Sequence, residues 1–325
     1  MKKTVIGIDV SSKTLDLSVI ENKQVHYATI ENKVKSIVKF LKAYDDTNTI
    51  IAMENTGRYN WYIYEALEQF SFEVYVISPL HLSKSLGLVR GKNDKIDALR
   101  ICQFVQKNKA ELTAWQPTTK NIQCLKVLLS ERNSRIKTKR QLLARQNDYK
   151  LMKTLGLDKE LLALNKQQVK AVEKQIKKIE HKINDIIESD QKLKNQQQLI
   201  KTIPGVGNVL SWTVIGKTEG FSKFTNPRKF ACFAGVVPFE YQSGSSIYRK
   251  PKLSMFADKE LKSILHLAAM SAIRLDNDLR KYYVKKVEEG KNKMSVLNAV
   301  RNKIIHRIFA IIKNQTAYKN NLVLS

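Results

Sequence analysis

The first third of the chain alternates between short apolar runs and amphipathic stretches. "KTVIGID" (3–9) is an apolar run of strand length, and "LDLSVI" (15–20) and "QVHYATI" (24–30) follow with period-two patterning and short turn signals between them. Together they predict an antiparallel meander. "KVKSIVKFLKAY" (33–44) has helical spacing through Val34, Ile37, Val38, Phe40 and Leu41. A buried strand "TIIAME" (49–54), a helix "WYIYEALEQF" (61–70), a strand "FEVYVI" (72–77) and a helix "NDKIDALRICQFVQK" (93–107) complete the series. Three antiparallel strands and then alternating helix and strand is the order of a ribonuclease H-like α/β domain, placed at residues 1–112.

The pattern changes at "TAWQPTTK" (113–120), where Pro117 breaks the chain. From 119 to 190 there is no proline and one glycine, Gly156. Two long helices meeting near "KTLGLDKE" (153–160) are expected. Leu161, Leu164, Val169, Val172, Ile176, Ile179 and Ile183 recur every three or four residues, as the apolar face of an antiparallel helical arm requires. This predicts a coiled-coil arm over 113–195, serving as a spacer, a dimer contact or a nucleic-acid contact. "IKTIPGVGNVLSWTVIG" (200–216) has the form of a helix-hairpin-helix, whose Gly-rich turn lets backbone N–H groups approach a phosphate. "YQSGSSIYRKPK" (241–252) is polar and basic, and "ADKELKSILHLAAMSAI" (257–273) and "SVLNAVRNKIIHRIFAIIK" (295–313) read as helices. Residues 196–325 are thus expected to form a mostly helical C-terminal domain.

Charge narrows the partners. The 325 residues carry a net charge of +27, which points to polyanions rather than to a fold. Residues 1–110 hold 16 Lys and Arg against 12 acids, 120–200 hold 19 against 9, and 201–325 hold 22 against 8. The acids therefore sit in a nearly balanced front module and the basic excess behind it. No apolar run approaches the ~18 residues of a spanning helix. Cys102, Cys124 and Cys232 are scattered, which argues against a disulfide framework or a zinc site. A cytoplasmic, nucleoid-associated protein with no membrane contact is expected.

Against that background the acids stand out. Asp9 ends the first strand, Glu54 ends "TIIAME", and Asp94 and Asp97 open a later helix. In a ribonuclease H-like fold these positions can converge on one sheet edge. Four carboxylates make an all-oxygen site suited to Mg²⁺ or Mn²⁺, and a metal pair could activate a phosphodiester. Singly, each acid also reads as a turn residue or cap: Asp94 could cap its helix and Asp97 lie in its first turn. Taken together, in this order and on a chain this basic, they favour a metal site. Ser243, beside Gly244, lies in a loop flanked by Tyr241, Tyr248, Arg249 and Lys250. It reads either as a nucleophile or as part of a plain Ser/Gly loop, and no local base is visible to activate it. Lys92, Arg249, Lys250, Lys252, Arg301 and Lys303 are candidate nucleic-acid contacts.

"GIDVSSKTLDLSV", "AMENTGRY", "GKNDKIDA", "TIPGVG", "FACFAGVVPFEYQSG" and "NAVRNKIIHRIFAI" occur in this order. Together they resemble the DEDD-type transposases of insertion sequences, the IS110 family, almost end to end. The resemblance implies a ribonuclease H-like domain joined by a helical coiled-coil arm to a C-terminal transposase domain. Asp9, Glu54, Asp94 and Asp97 correspond to its metal-binding tetrad. Ser243 corresponds to a serine that forms a covalent link to DNA, and Ser245 and Ser246 compete with it for that role. It also implies donor and target DNA as substrates, a noncoding bridge RNA that reads sequence by pairing, and homodimers that assemble into homotetramers. "LSMFADKELK" (253–262) stands where many relatives have a Lys-Arg-Gly turn, with Lys259 and Lys262 as substitutes. Two other readings compete: a metal-dependent nuclease like a Holliday-junction resolvase, using water, and a non-catalytic nucleic-acid-binding protein.

Overall fold

The computed structural model describes residues 4–85, 93–243 and 247–319; at 240–243, 247–250 and 252 it describes the backbone alone. The chain forms two compact units, residues 1–117 and 118–325.

The first unit is built on one sheet. Strands β1 (Thr4–Val10), β2 (Thr14–Glu21) and β3 (Gln24–Glu31) form the expected meander. Helix α1 (Val34–Leu41) carries the chain across to β4 (Thr49–Glu54), which pairs parallel to β1. Helix α2 (Trp61–Leu67) leads to β5 (Glu73–Ile77), parallel to β4. The strand order is β3-β2-β1-β4-β5. This order, with its antiparallel half and parallel half, is that of a ribonuclease H-like domain. Two helices follow: α3 (Pro79–Ser85), which the sequence pattern did not announce, and α4 (Asp94–Asn108). Residues past the expected border at 112 remain with this unit, where the Trp115 ring stacks on Tyr64 at 5.0 Å and the Trp115 backbone N–H donates to Val74 O.

Burial on both faces explains the apolar runs of β1 and β4. Ile6, Ile8 and Val10 join Ile51 and Met53 in one core with α1 and α2. The opposite face carries Val5, Ile50 and Ala52, which pack with Ile101, Cys102 and Val105 of α4. Gly7 lies on that second face, since side chains alternate along a strand. A Cβ at Gly7 would sit 2.2 Å from Ala98 O and 2.7 Å from Cys102 Sγ. Glycine is thus what lets α4 lie directly on β1. The Cys102 thiol is sealed here, donating to Ser18 O at 3.2 Å, and burial pushes its pKa up to about 12.

The second unit begins with the long helical pair α5 (Lys120–Leu151) and α6 (Asp158–Ser189), joined by a 3-10 turn and Gly156 at φ 68°. Arg132–Glu180 (2.8 Å) and Lys139–Glu173 (2.7 Å) show that the helices run antiparallel. Val169, Ile176 and Ile183 are buried as the periodicity predicts. Leu164 is instead 54% exposed. Its neighbour Asn165 turns inward, donating to Leu142 O and accepting from Gln146.

The base of this pair merges with the helices that follow: α7 (Gln191–Lys201), α8 (Asn208–Thr218), α9 (Pro227–Phe233), α10 (Lys259–Ala272), α11 (Asp278–Glu288) and α12 (Lys293–Asn314). Ile122, Leu125 and Leu129 of α5 and Ile183 and Ile187 of α6 enter the same core as Leu265, Val300 and Ile304. In the turn between α7 and α8, Gly205 has φ +81°, and a Cβ there would meet Ala268 O at 2.4 Å. This glycine is required by its approach to α10, whereas its expected use was at a phosphate. The stretch 241–252, read as a loop from its polar composition, largely pairs into an antiparallel hairpin of β6 (Pro238–Ser243) and β7 (Ile247–Leu253). Among the described residues, no helix is long and apolar enough to cross a membrane.

Gly7→Ala should destabilise the first unit by about 1–3 kcal/mol, the usual cost of overpacking, read as a lower urea midpoint. Adding Cys102→Ala should recover only part of this, because the nearer contact is the backbone oxygen of Ala98. A neutral Gly7→Ala would mean that α4 does not need this approach.

Candidate metal centre

The strand register brings two acids level. β1 and β4 pair from Thr4↔Thr49 to Ile8↔Met53, so one further step sets Asp9 beside Glu54. Both lie on the face that carries Gly7 and Ala52, the face α4 covers. Helix α4 starts at this edge. Its first residue is Asp94, and Asp97 lies one turn before Ile101, which is fully buried against the sheet. Carboxylate oxygens of Asp9, Asp94 and Asp97 all lie within 4.8 Å of one another. Glu54 is close enough for its charge to act on Asp9.

Local chemistry fixes these side chains. The cap of α4 is Asn93, whose side chain accepts from Lys95 N at 3.1 Å, so the capping role considered for Asp94 falls to its neighbour. Arg100, which the sequence reading passed over, donates to Asp97 at 2.7 Å. The segment after Glu54 is held by the fully buried Asn60, which donates to Glu54 O (2.9 Å) and accepts from Thr56 N and Oγ1. Arg100 and Asn60 were legible only as an i,i+3 neighbour of Asp97 and as a polar residue before a helix.

The electrostatics of the cluster favour binding a cation. Burial, then the charges of Asp94, Asp97 and Glu54, raise the Asp9 pKa to about 6, against a smaller opposing effect from the Val10 N–H. Carboxylates this close, two of them half-buried and Asp94 exposed, repel one another unless a proton or a cation intervenes. The donor set is all oxygen and partly exposed, which fits a hard divalent cation rather than zinc or copper.

Comparison with known proteins agrees. The sequence model of the IS110 DEDD transposases matches residues 6–149, a span that holds all four acids. The model described as "Transposase IS116/IS110/IS902 family" matches residues 197–284, a span that holds Ser243. Between them they cover well over half of the chain. This chain belongs to the IS110 family of transposases. It is accordingly an enzyme of DNA transposition and recombination. Pilin gene-inverting proteins of Moraxella bovis and Moraxella lacunata are each 26% identical to this transposase over 99% of both chains. A solved structure of T. thermophilus RuvC in complex with a Holliday junction substrate is 13% identical, covers 35% of this chain and 99% of its own, and has a TM-score of 0.27. That score is too low to bear on the fold, which rests on the strand order. The carboxylate cluster and the family together point to a divalent metal in this transposase.

The remaining candidates lie in the second unit or outside the described residues. Ser243 is the last residue of β6, paired with Ile247, and only its backbone is described. Lys92, Ser245 and Ser246 fall outside the described residues, as do the side chains of Arg249, Lys250 and Lys252 on β7. Lys303 of α12 is half-buried, its ammonium 4.3 Å from the centre of the Tyr282 ring. Arg301 is 6% exposed, with its guanidinium hydrogen-bonded to His266 and Asn298.

The Asp9 shift carries a pH dependence in the metal-free protein. Its pKa is raised on folding, so its stabilising contribution is complete below the unfolded value near 4 and is lost as pH rises to about 6. In EDTA, wild type should therefore lose stability relative to Asp9→Asn between about pH 4 and pH 6. At pH 7.5, Mg²⁺ or Mn²⁺ should raise the melting temperature of wild type and not of Asp9→Asn. Parallel pH curves and equal metal responses would exclude the cluster as a metal site.

Proposed function

We propose that this transposase cuts and rejoins the DNA of an insertion sequence with the metal-binding tetrad Asp9, Glu54, Asp94 and Asp97 and a serine nucleophile, Ser243. The observation that carries the reading is the convergence of Asp9, Asp94 and Asp97 within 4.8 Å at one edge of the sheet, in a chain of this family. A bound Mg²⁺ or Mn²⁺ would supply Lewis-acid stabilisation of charge developing on phosphate oxygens.

The rest falls to the chain. Ser243 Oγ attacks phosphorus, forming a serine–phosphate bond as the bond to one deoxyribose oxygen breaks. The hydroxyl proton leaves the serine, and the departing deoxyribose oxygen takes up a proton to become a hydroxyl. Attack by a strand hydroxyl on the serine phosphodiester reverses the exchange and joins the new strand, so no external energy source is needed. Asp97 is kept aimed by Arg100, and Glu54 by the Asn60 bond to its backbone.

In this reading, residues 1–112 supply the tetrad, 113–195 the arm, and 196–325 the serine. Donor and target DNA are the substrates. The +27 charge holds their backbones and a noncoding bridge RNA that supplies sequence by pairing. The protein works at the nucleoid in the cytoplasm as a homodimer that assembles to a homotetramer.

The test is adduct trapping. Purified protein with its retained RNA, Mg²⁺ and nicked junction DNA should yield a denaturation-resistant protein–DNA adduct. The adduct should vanish in Ser243→Ala, and in Asp9→Ala or Asp97→Ala should fall by at least ~10²-fold, the scale of losing transition-state charge stabilisation. Cleaved ends with no adduct would replace the serine by water. An adduct lost only in Ser245→Ala or Ser246→Ala would move the nucleophile.

A further inference from the structure

The second unit buries a cation that no anion pairs with among the described residues. Arg301 on α12 is 6% exposed. Its Nη2 lies 2.7 Å from His266 Nδ1 on α10, and its Nη1 makes a long 3.4 Å bond to Asn298 Oδ1. Its Nε has no partner. Among the described residues no carboxylate pairs with it. A guanidinium cannot shed its proton, and an uncompensated buried charge opposes folding. Hydrophobic packing would fill this position more stably, so the charge implies a ligand.

The surroundings say of which kind. Arg301 donates to Nδ1 of His266, so the ring proton of His266 is on Nε2, and the ring is itself a donor. Burial, then the Arg301 charge, pushes the His266 pKa down, which keeps that ring neutral. Lys262 lies one turn before His266 on α10 and has no carboxylate partner among the described residues. Its Cδ lies 3.8 Å from where a Cβ of Gly235 would stand. Asn298, which holds Arg301, also donates to Val236 O at 2.7 Å. Lys262, His266, Asn298 and Arg301 thus gather around residues 235–236, where the chain enters β6, the strand that ends on Ser243. Arg301, His266 and Lys262 each carry N–H donors there, the chemistry that a phosphate takes up.

We propose that Arg301, His266 and Lys262 form a subsite for one backbone phosphate of the DNA strand presented to the β6–β7 hairpin. The proposal rests on the reading that this hairpin acts on DNA. The subsite lies at the foot of the hairpin and Ser243 at its far end, so the phosphate taken here lies several nucleotides along the strand from the one that reacts. These residues position the strand and take no part in bond making.

The experiment uses the full chain and two probes. In EDTA, inorganic phosphate at ionic strength matched with chloride should raise the melting temperature of wild type by more than that of Arg301→Met. Without phosphate, Arg301→Met should melt about 2–4 °C higher than wild type, because a buried unpaired charge has been removed. The slope of log K against log salt for duplex DNA should fall by about one in Arg301→Met. His266→Gln, which can still accept from Arg301 and donate outward, should keep most of the phosphate response. A lower melting temperature or an unfolded Arg301→Met would make Arg301 a structural residue and overturn the proposal. An unchanged DNA slope, or a slope that changes for RNA and not DNA, would overturn it too. Ser243→Ala should retain the full phosphate response. Wild type that forms no adduct, or Ser243→Ala that keeps it, with that response intact would reject the serine chemistry at Ser243 and leave the subsite standing.

Discussion

In the first unit a helix lies directly on a strand with nothing between them. Gly7 has no side chain, and the space its Cβ would occupy belongs to Ala98 O and Cys102 Sγ. Because α4 lies flat on β1 at that point, its first turn overhangs the end of the strand two residues on. That end is Asp9. The sheet register then adds Glu54, and the helix adds Asp94 and Asp97. A bulkier residue at 7 would lift the helix and part the carboxylates. The acid cluster is therefore a consequence of backbone packing made possible by one missing atom group.

The cluster is costly in the absence of a cation, and the fold carries that cost in a unit that is otherwise well packed. Two apolar cores sandwich the sheet, which leaves the edge free to hold charge that does not favour folding. The second unit shows the same logic at Arg301, where a core shared by α5, α6 and the C-terminal helices tolerates a buried guanidinium. The charged groups in both places are held against their own electrostatics by packing elsewhere. The long helical pair is different. Its exposed ion pairs contribute little each, and Val169, Ile176 and Ile183 together with the internal bonds of Asn165 define its seam.

Much of this was readable as pattern. The apolar runs that became β1 and β4 end on Asp9 and Glu54, and the helix that became α4 opens on Asp94 and Asp97, so the order of acids and elements could be stated before any coordinates. The family motifs added roles for these residues and for Ser243. Other features were not readable. Helix α3, for example, opens on a proline and is only seven residues long, too short to show a periodic apolar face. The flanks of the Ser/Gly loop look like loop because a hairpin of polar residues shows no alternation. Leu164 and Asn165 exchange their expected places because burial at that turn depends on Leu142 and Gln146 of the other helix.

Periodicity is a local property, so the chain alone carried the strands, the long helices, their order and the excess of positive charge. Which residues meet is a property of pairs far apart in sequence. Nothing near Gly7 announces Ala98, nothing near Gly205 announces Ala268, and nothing near Arg301 announces His266. The capping of α4 by Asn93 rather than Asp94 turned on one residue of helix phase. Those outcomes follow from how whole elements pack, and only the folded chain brings the carboxylates, or the donors around residues 235–236, to one place.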